Sequence, residues 1–98
     1  MKNINGASLV NWPTEEVIEN FEFDAIHPDG TFKFVFKWMN DRWNCWVTLP
    51  GGEKRQAGVY PNVISWSGFL DYGIVFETNL TEINFTSLLL TNLYILSW

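Results

Sequence analysis

Phe32, Phe34, Phe36 and Trp38 stand at every second position of one continuous stretch, with Thr31, Lys33 and Lys37 between them. A strand sends alternate side chains to opposite faces, so the four rings line one side of a sheet. Asn40-Asp41 interrupts the run. Trp43, Cys45, Val47 and Leu49 then resume the same alternation, with Asn44 and Thr48 among the residues between them. Two alternating runs around a short polar break make a β-hairpin with an aromatic inner face. A helix would scatter these rings around its axis, so the pattern commits the chain to a β fold.

The rest of the chain reads the same way. Phe21, Phe23 and Ala25 alternate with Glu22 and Asp24 to form an earlier strand, and His27-Pro28-Asp29-Gly30 is the turn that follows. Pro50-Gly51-Gly52-Glu53 closes the aromatic hairpin's second strand, and Lys54-Arg55 are expected in a solvated loop. A short strand is expected over Ala57 to Tyr60, stopped by Pro61. Val63, Trp66, Phe69 and Leu70 share one helical stripe, leaving a helical turn and an apolar loop as equal alternatives. Strands are expected over 73–78 and 92–98, with a short turn over 85–90 placing Leu88 and Leu89 in the core. The expected fold is all-β: a small antiparallel β-sandwich or barrel of six to seven strands with one short helical turn. Residues 1–19 form an N-terminal arm, with Pro13-Thr14-Glu15-Glu16 open to a turn of helix or an extended path, and residues 20–98 form a single domain. The core is expected to contain Phe32, Phe34, Phe36, Trp38, Trp43, Cys45 and Val47.

Six of the 98 residues are Trp. A chain of this length buries roughly 65% of its unfolded surface, and Trp is seldom fully covered in so small a domain. Apolar residues also occur on both faces of some strands: Tyr94, Leu96 and Trp98 oppose Leu93 and Ile95, and Trp46 opposes the Trp43 face. Strands with two apolar faces are normally covered on both. Either the sheet curls into a barrel with loops packed outside it or a neighbouring subunit does the covering; the subunit is the preferred cover, and Trp12, Trp46, Trp66, Phe69 and Trp98 are the residues expected at the interface. A large ring buried at such a contact contributes on the order of 2 kcal/mol.

Composition restricts the chemistry. The formal charge is −5, with only Lys54-Arg55 adjacent among scattered basic residues, which argues against nucleic acid as a partner. Cys45 is the only cysteine, so no internal disulfide forms, and its inward position makes it a small buried hydrophobe. No apolar stretch approaches the ~20 residues of a membrane span. No secretion signal is expected, and the sequons at Asn79 and Asn84 are read as chance matches. His27, the only histidine, is expected to be exposed in its turn. Neither a His27–Cys45 pair nor a metal site at Asp24, His27 and Asp29 is expected, and no cofactor motif is present. Trp43, Trp46 and Trp66 could form a platform for stacking sugars, which keeps a carbohydrate-binding module as an alternative.

The order of these features resembles the small baseplate plug proteins of contractile-tailed phages, a family of cyanophage type. The resemblance lies in Phe32-Lys33-Phe34-Val35-Phe36-Lys37-Trp38, Arg42-Trp43-Asn44-Cys45-Trp46, Gly58-Val59-Tyr60-Pro61-Asn62-Val63, Asp71-Tyr72-Gly73-Ile74-Val75-Phe76 and Leu93-Tyr94-Ile95-Leu96. It covers about residues 20–97. The resemblance implies a noncatalytic structural component of the virion, made in the host cytoplasm and placed near the tail-tube tip. It implies hub, spike and tail-tube proteins and further copies of the chain as partners, with no membrane involved.

Overall fold

The computed structural model describes residues 6–66 and 70–98. Seven strands run through them: β1 (Gly6–Val10), β2 (Asn20–His27), β3 (Gly30–Met39), β4 (Arg42–Thr48), β5 (Lys54–Ala57), β6 (Tyr72–Glu77) and β7 (Asn92–Ser97). They form two antiparallel sheets, one of four strands in the order β2-β3-β4-β5 and one of three in the order β1-β7-β6. The sheets face each other as a sandwich, and a 3₁₀ turn at Leu88–Leu90 leads into β7.

The aromatic hairpin is β3–β4. Asn40 and Asp41 make its turn, both in the left-handed region at φ 57° and 59°. Asn and Asp tolerate that region, and a two-residue turn of this hand matches the twist of the strands it joins. Register then stacks the inward residues across the sheet: Phe21, Phe36, Cys45 and Ala57 in one row, Phe23, Phe34 and Val47 in the next, with Trp38 opposite Trp43. Phe32, Phe34, Phe36, Cys45 and Val47 are fully buried and Trp43 is buried. Trp38 is half-buried, its ring edge-on to Trp43 at 5.5 Å and to Phe85 at 5.4 Å. From the facing sheet, Ile74, Phe76, Leu93 and Ile95 complete the core. Phe36 joins the layers, lying 5.2 Å from the Phe21 ring, 5.4 Å from Trp12 and 6.0 Å from Phe76.

Several expectations need correction. Lys54 and Arg55 belong to β5 rather than a loop. The turn before them is tight, with Gly52 N–H donating to Leu49 O and Leu49 N–H to Glu53 O, both at 2.8 Å, so pairing resumes at Lys54. The strand expected over Ala57–Tyr60 therefore ends at Ala57. Beyond it, Gly58 N–H donates to Ser65 Oγ instead of a ladder. Of the stretch read as a helical turn or an apolar loop, residues 61–65 lie along the free edge of β6, with Asn62 N–H donating to Phe76 O and Ser65 N–H to Ile74 O, both at 2.9 Å; Leu70 N–H then donates to Trp66 O at 3.4 Å, and 67–69 lie outside the described residues. Within the described part of the 1–19 arm, β1 pairs with β7 of its own chain. Residues 13–19 take neither helix nor strand.

The outer face of the smaller sheet is also partly covered from within. Leu96 is buried, and its register partner Gly73 explains how. A Cβ at Gly73 would lie 2.4 Å from Trp98 Cη2, so the Trp98 ring occupies the space above this row, and only glycine permits the approach.

Phe36→Ala should remove about 3–5 kcal/mol of stability in urea unfolding, because its neighbours come from both layers and cannot collapse into the void. A loss under about 1 kcal/mol would contradict this placement.

Candidate functional site

Trp38 packs edge-on against Trp43 and Phe85, and the other five tryptophans fall into two groups. Four indole N–H groups donate to backbone carbonyls of their own chain: Trp12 to Thr91 at 2.9 Å, Trp43 to Asn84 at 3.0 Å, Trp98 to Leu70 at 2.7 Å, and Trp66 to Gln56 of the edge strand β5 at 2.9 Å. A buried indole needs such an acceptor, so the bonds of Trp12, Trp43 and Trp98 fix loops to the sandwich, and that of Trp66 ties the segment after β5 back to that strand. Trp46 differs. Its neighbours in β4, Cys45 and Val47, point inward, so Trp46 projects from the outer face of the four-stranded sheet. It is half-buried, and its N–H has no hydrogen-bond partner among the described residues.

Trp46 stands in a row that register builds across all four strands: Glu22, Val35, Trp46 and Gln56. One flanking row holds Asp24, Lys33, Thr48 and Lys54, and the other holds Asn20, Lys37 and Asn44. Together Glu22, Lys33, Val35, Lys37, Trp46, Thr48 and Lys54 line a shallow open groove of about 480 Å³. The Lys37 ammonium lies 5.9 Å from the Trp46 ring centroid, within cation–π range. Lys33 Nζ lies 3.7 Å from Glu22 Oε2, an exposed pair that contributes little stability by itself. Lys37 and Lys54 have no carboxylate partner among the described residues. The groove thus offers one aromatic face, a short apolar floor and a cationic rim.

Trp46 is the member of the expected interface set that combines an outward sheet position with an unbonded indole. Trp12 is half-buried, with its ring against Phe21, Phe23 and Phe36. Trp98 is half-buried over Gly73. Trp66 is buried at 7% exposure in its own chain, and Phe69 lies outside the described residues. Trp43 and Trp66, considered with Trp46 as a sugar platform, are core residues, so a platform of three rings does not form. The lysines of the groove were not legible as a group, because Lys33, Lys37 and Lys54 meet only through the β3–β4–β5 register. The available signal was the even spacing of Lys33, Val35 and Lys37 on the face opposite the Phe residues.

His27 is buried, at 7% exposure, and not exposed in its turn. It continues the inward phase of Phe21, Phe23 and Ala25, and Tyr72 of the other sheet covers it, with ring centroids 5.7 Å apart. The Asp29 N–H donates to His27 Nδ1 at 3.1 Å, and the Tyr72 hydroxyl donates to Asp29 Oδ2 at 2.8 Å. That bond to a carboxylate raises the Tyr72 pKa, with burial and the nearby charges of Asp29 and Asp71 adding to the shift. Cys45 pairs with Phe36, which pairs with Phe21. His27 is six residues further along β2, about 20 Å away along the strand, so the thiol and imidazole do not meet. Asp24 faces outward and His27 inward. Among the described residues, no three His, Cys, Asp or Glu side chains are grouped to hold a metal. A second hollow, about 550 Å³, lies by Asn62, Thr78 and Asn92 and holds neither a ring nor a cation. Compared with protein-family models, curated proteins and solved structures, the chain matches none.

Burial pushes the Cys45 thiol pKa up from its ordinary value near 9.0. The unfolded chain ionises this thiol at a pH where the folded chain does not, so its contribution to stability is complete below about pH 9 and declines above it. The expected decline approaches 1.4 kcal/mol per pH unit from this group. Urea titrations at neutral pH and above pH 9 should show a shallower alkaline loss for Cys45→Ala than for the wild type. Equal alkaline slopes would contradict a fully buried thiol.

Proposed function

We propose that this chain is a noncatalytic structural component of a phage tail baseplate. It sits near the tail-tube tip and the hub or spike, helps to plug or join the tube, and assembles through aromatic surface. The observation that carries the assembly reading is Trp46: a large ring on an outward sheet face, with its N–H unbonded among the described residues and lysines bordering its groove. Aromatic rings of this kind are the usual anchors of protein contacts. Leu9, Ile26 and Leu90 add exposed apolar surface elsewhere, at 55%, 91% and 75% exposure. The placement in a baseplate rests on the sequence resemblance. Its segments supply β3, β4, the 58–63 connection, β6 and β7, which are the body of the sandwich. A noncatalytic role is supported by the separation of Cys45 from His27 and by the enclosure of both. The partners of this reading are other baseplate proteins and copies of the chain.

A second reading, a carbohydrate-binding module, draws on the same groove. A single ring face bordered by Thr48, Glu22 and lysines suits stacking against a sugar with hydrogen bonds at its edge. Binding of cell-wall glycans that disappears in Trp46→Ala would favour it.

Mass spectrometry of purified phage tails should find the chain in fixed proportion to the tail proteins. Trp46→Ala should reduce its incorporation severalfold while changing the isolated chain's unfolding free energy by less than about 1 kcal/mol, since the side chain lies outside the core. Tails that lack the chain altogether would overturn the baseplate reading.

A further inference from the structure

The basic residues of this acidic chain are distributed unevenly once it folds. Three of its six, Lys33, Lys37 and Lys54, border the Trp46 groove together with one acid, Glu22. Of the formal −5, the groove therefore carries +2 and the remainder of the chain −7. Among the described residues Lys37 and Lys54 have no ion-pair partner. A positive groove on a negative molecule calls for an acidic occupant with some apolar surface to meet the Trp46 ring.

The connection between β1 and β2 has that chemistry. Within residues 13–19, Glu15, Glu16 and Glu19 are all exposed, and none has a cation partner among the described residues. Ile18, between them, is 51% exposed. The loop is held in place without being part of a sheet. The Thr14 hydroxyl donates to Glu16 O at 3.2 Å and also accepts the Glu16 N–H at that distance, and Trp38 N–H donates to Glu19 O at 2.8 Å. Val17 packs inward on the core. Such anchoring presents three carboxylates and one aliphatic side chain at little further ordering cost.

Resting on the assembly reading above, we propose that the Trp46 groove receives the acidic 13–19 loop of a second copy of this chain. Ile18 meets Trp46 and Val35, while Glu15 and Glu16 meet Lys37 and Lys54. The Trp38 N–H donates to Glu19 O, so the loop leaves the four-stranded sheet at its Asn20–Lys37 end. Two copies can then exchange loops reciprocally about a two-fold axis, each burying its own loop and its own groove. The contact unites two exposed features of opposite charge, the cationic groove and the acidic loop.

Charge reversal tests this contact. One variant carries Lys37→Glu with Lys54→Glu, and the other carries Glu15→Lys with Glu16→Lys. All four side chains are exposed, so both variants should fold, as circular dichroism and a cooperative unfolding transition will verify. At about 0.1 mM, where a Kd near 10 µM is easily read, the wild type should sediment as a dimer. Each variant alone should be at least tenfold weaker, because its groove and loop then carry the same sign. An equimolar mixture of the two should recover the dimer, since each reversed groove meets a reversed loop. A monomeric wild type overturns the proposal, as does a mixture that stays monomeric. Variants that dimerise as well as the wild type overturn this contact but leave the assembly reading standing; that reading fails only if the chain is missing from purified tails.

Discussion

Aromatic contact between the two layers holds this molecule together, and Phe36 stands at the middle of it, as Phe32 and His27 against Tyr72 do at one end. The Phe36 ring lies parallel to Phe21 within its own sheet, edge-on to Trp12 from the β1–β2 connection, and edge-on to Phe76 of the opposite sheet. Offset and edge-to-face arrangements of this kind add to the apolar area each ring removes from water. A small sandwich has few inward positions, and large rings let a few residues fill the space between its sheets. Bulky indoles bring a second constraint, because a buried N–H without an acceptor is costly. Trp12, Trp43 and Trp98 satisfy it with loop carbonyls and Trp66 with the Gln56 carbonyl of β5. The loops are therefore positioned by the same rings that fill the interior.

The alternation that builds this core also builds the groove. Every inward Phe of β3 requires an outward neighbour, and Lys33, Val35 and Lys37 are those neighbours. Trp46 stands outward because Cys45 and Val47 stand inward. The outer surface of the four-stranded sheet thus follows from the inner one by the period of two, with the identities left free for recognition. In an acidic chain, the choice of lysine at these positions creates a local field opposite to that of the whole molecule. In the proposed contact this field would orient the acidic loop of the second copy. An exposed ring at its centre supplies the apolar contact that charge alone lacks.

The hairpin, its turn and its inward residues were legible because strand periodicity is local and strong between Thr31 and Leu49. The outward position of Trp46 was legible for the same reason. What the sequence concealed depended on contacts between distant segments. His27 reads as part of a solvated turn, and only Tyr72, arriving from the other sheet, encloses it. Trp66 reads as surplus apolar surface, but the carbonyl of Gln56 accepts its N–H and the core takes its ring. Lys54-Arg55 read as a wet loop because charge outweighs pairing in a local pattern, yet an exposed edge strand is where charged residues suit a sheet. The three lysines of the groove come from strands joined by register alone.

The central claim is that aromatic packing between the sheets, with indole hydrogen bonds to the loops, determines the fold and leaves Trp46 outside it. Indole hydrogen exchange observed by NMR tests this most directly. The Trp43 and Trp66 indole hydrogens should exchange only through global unfolding, as slowly as the most protected amides of β3. Exchange of either one within minutes, while the β3 amides remain protected, would contradict the account.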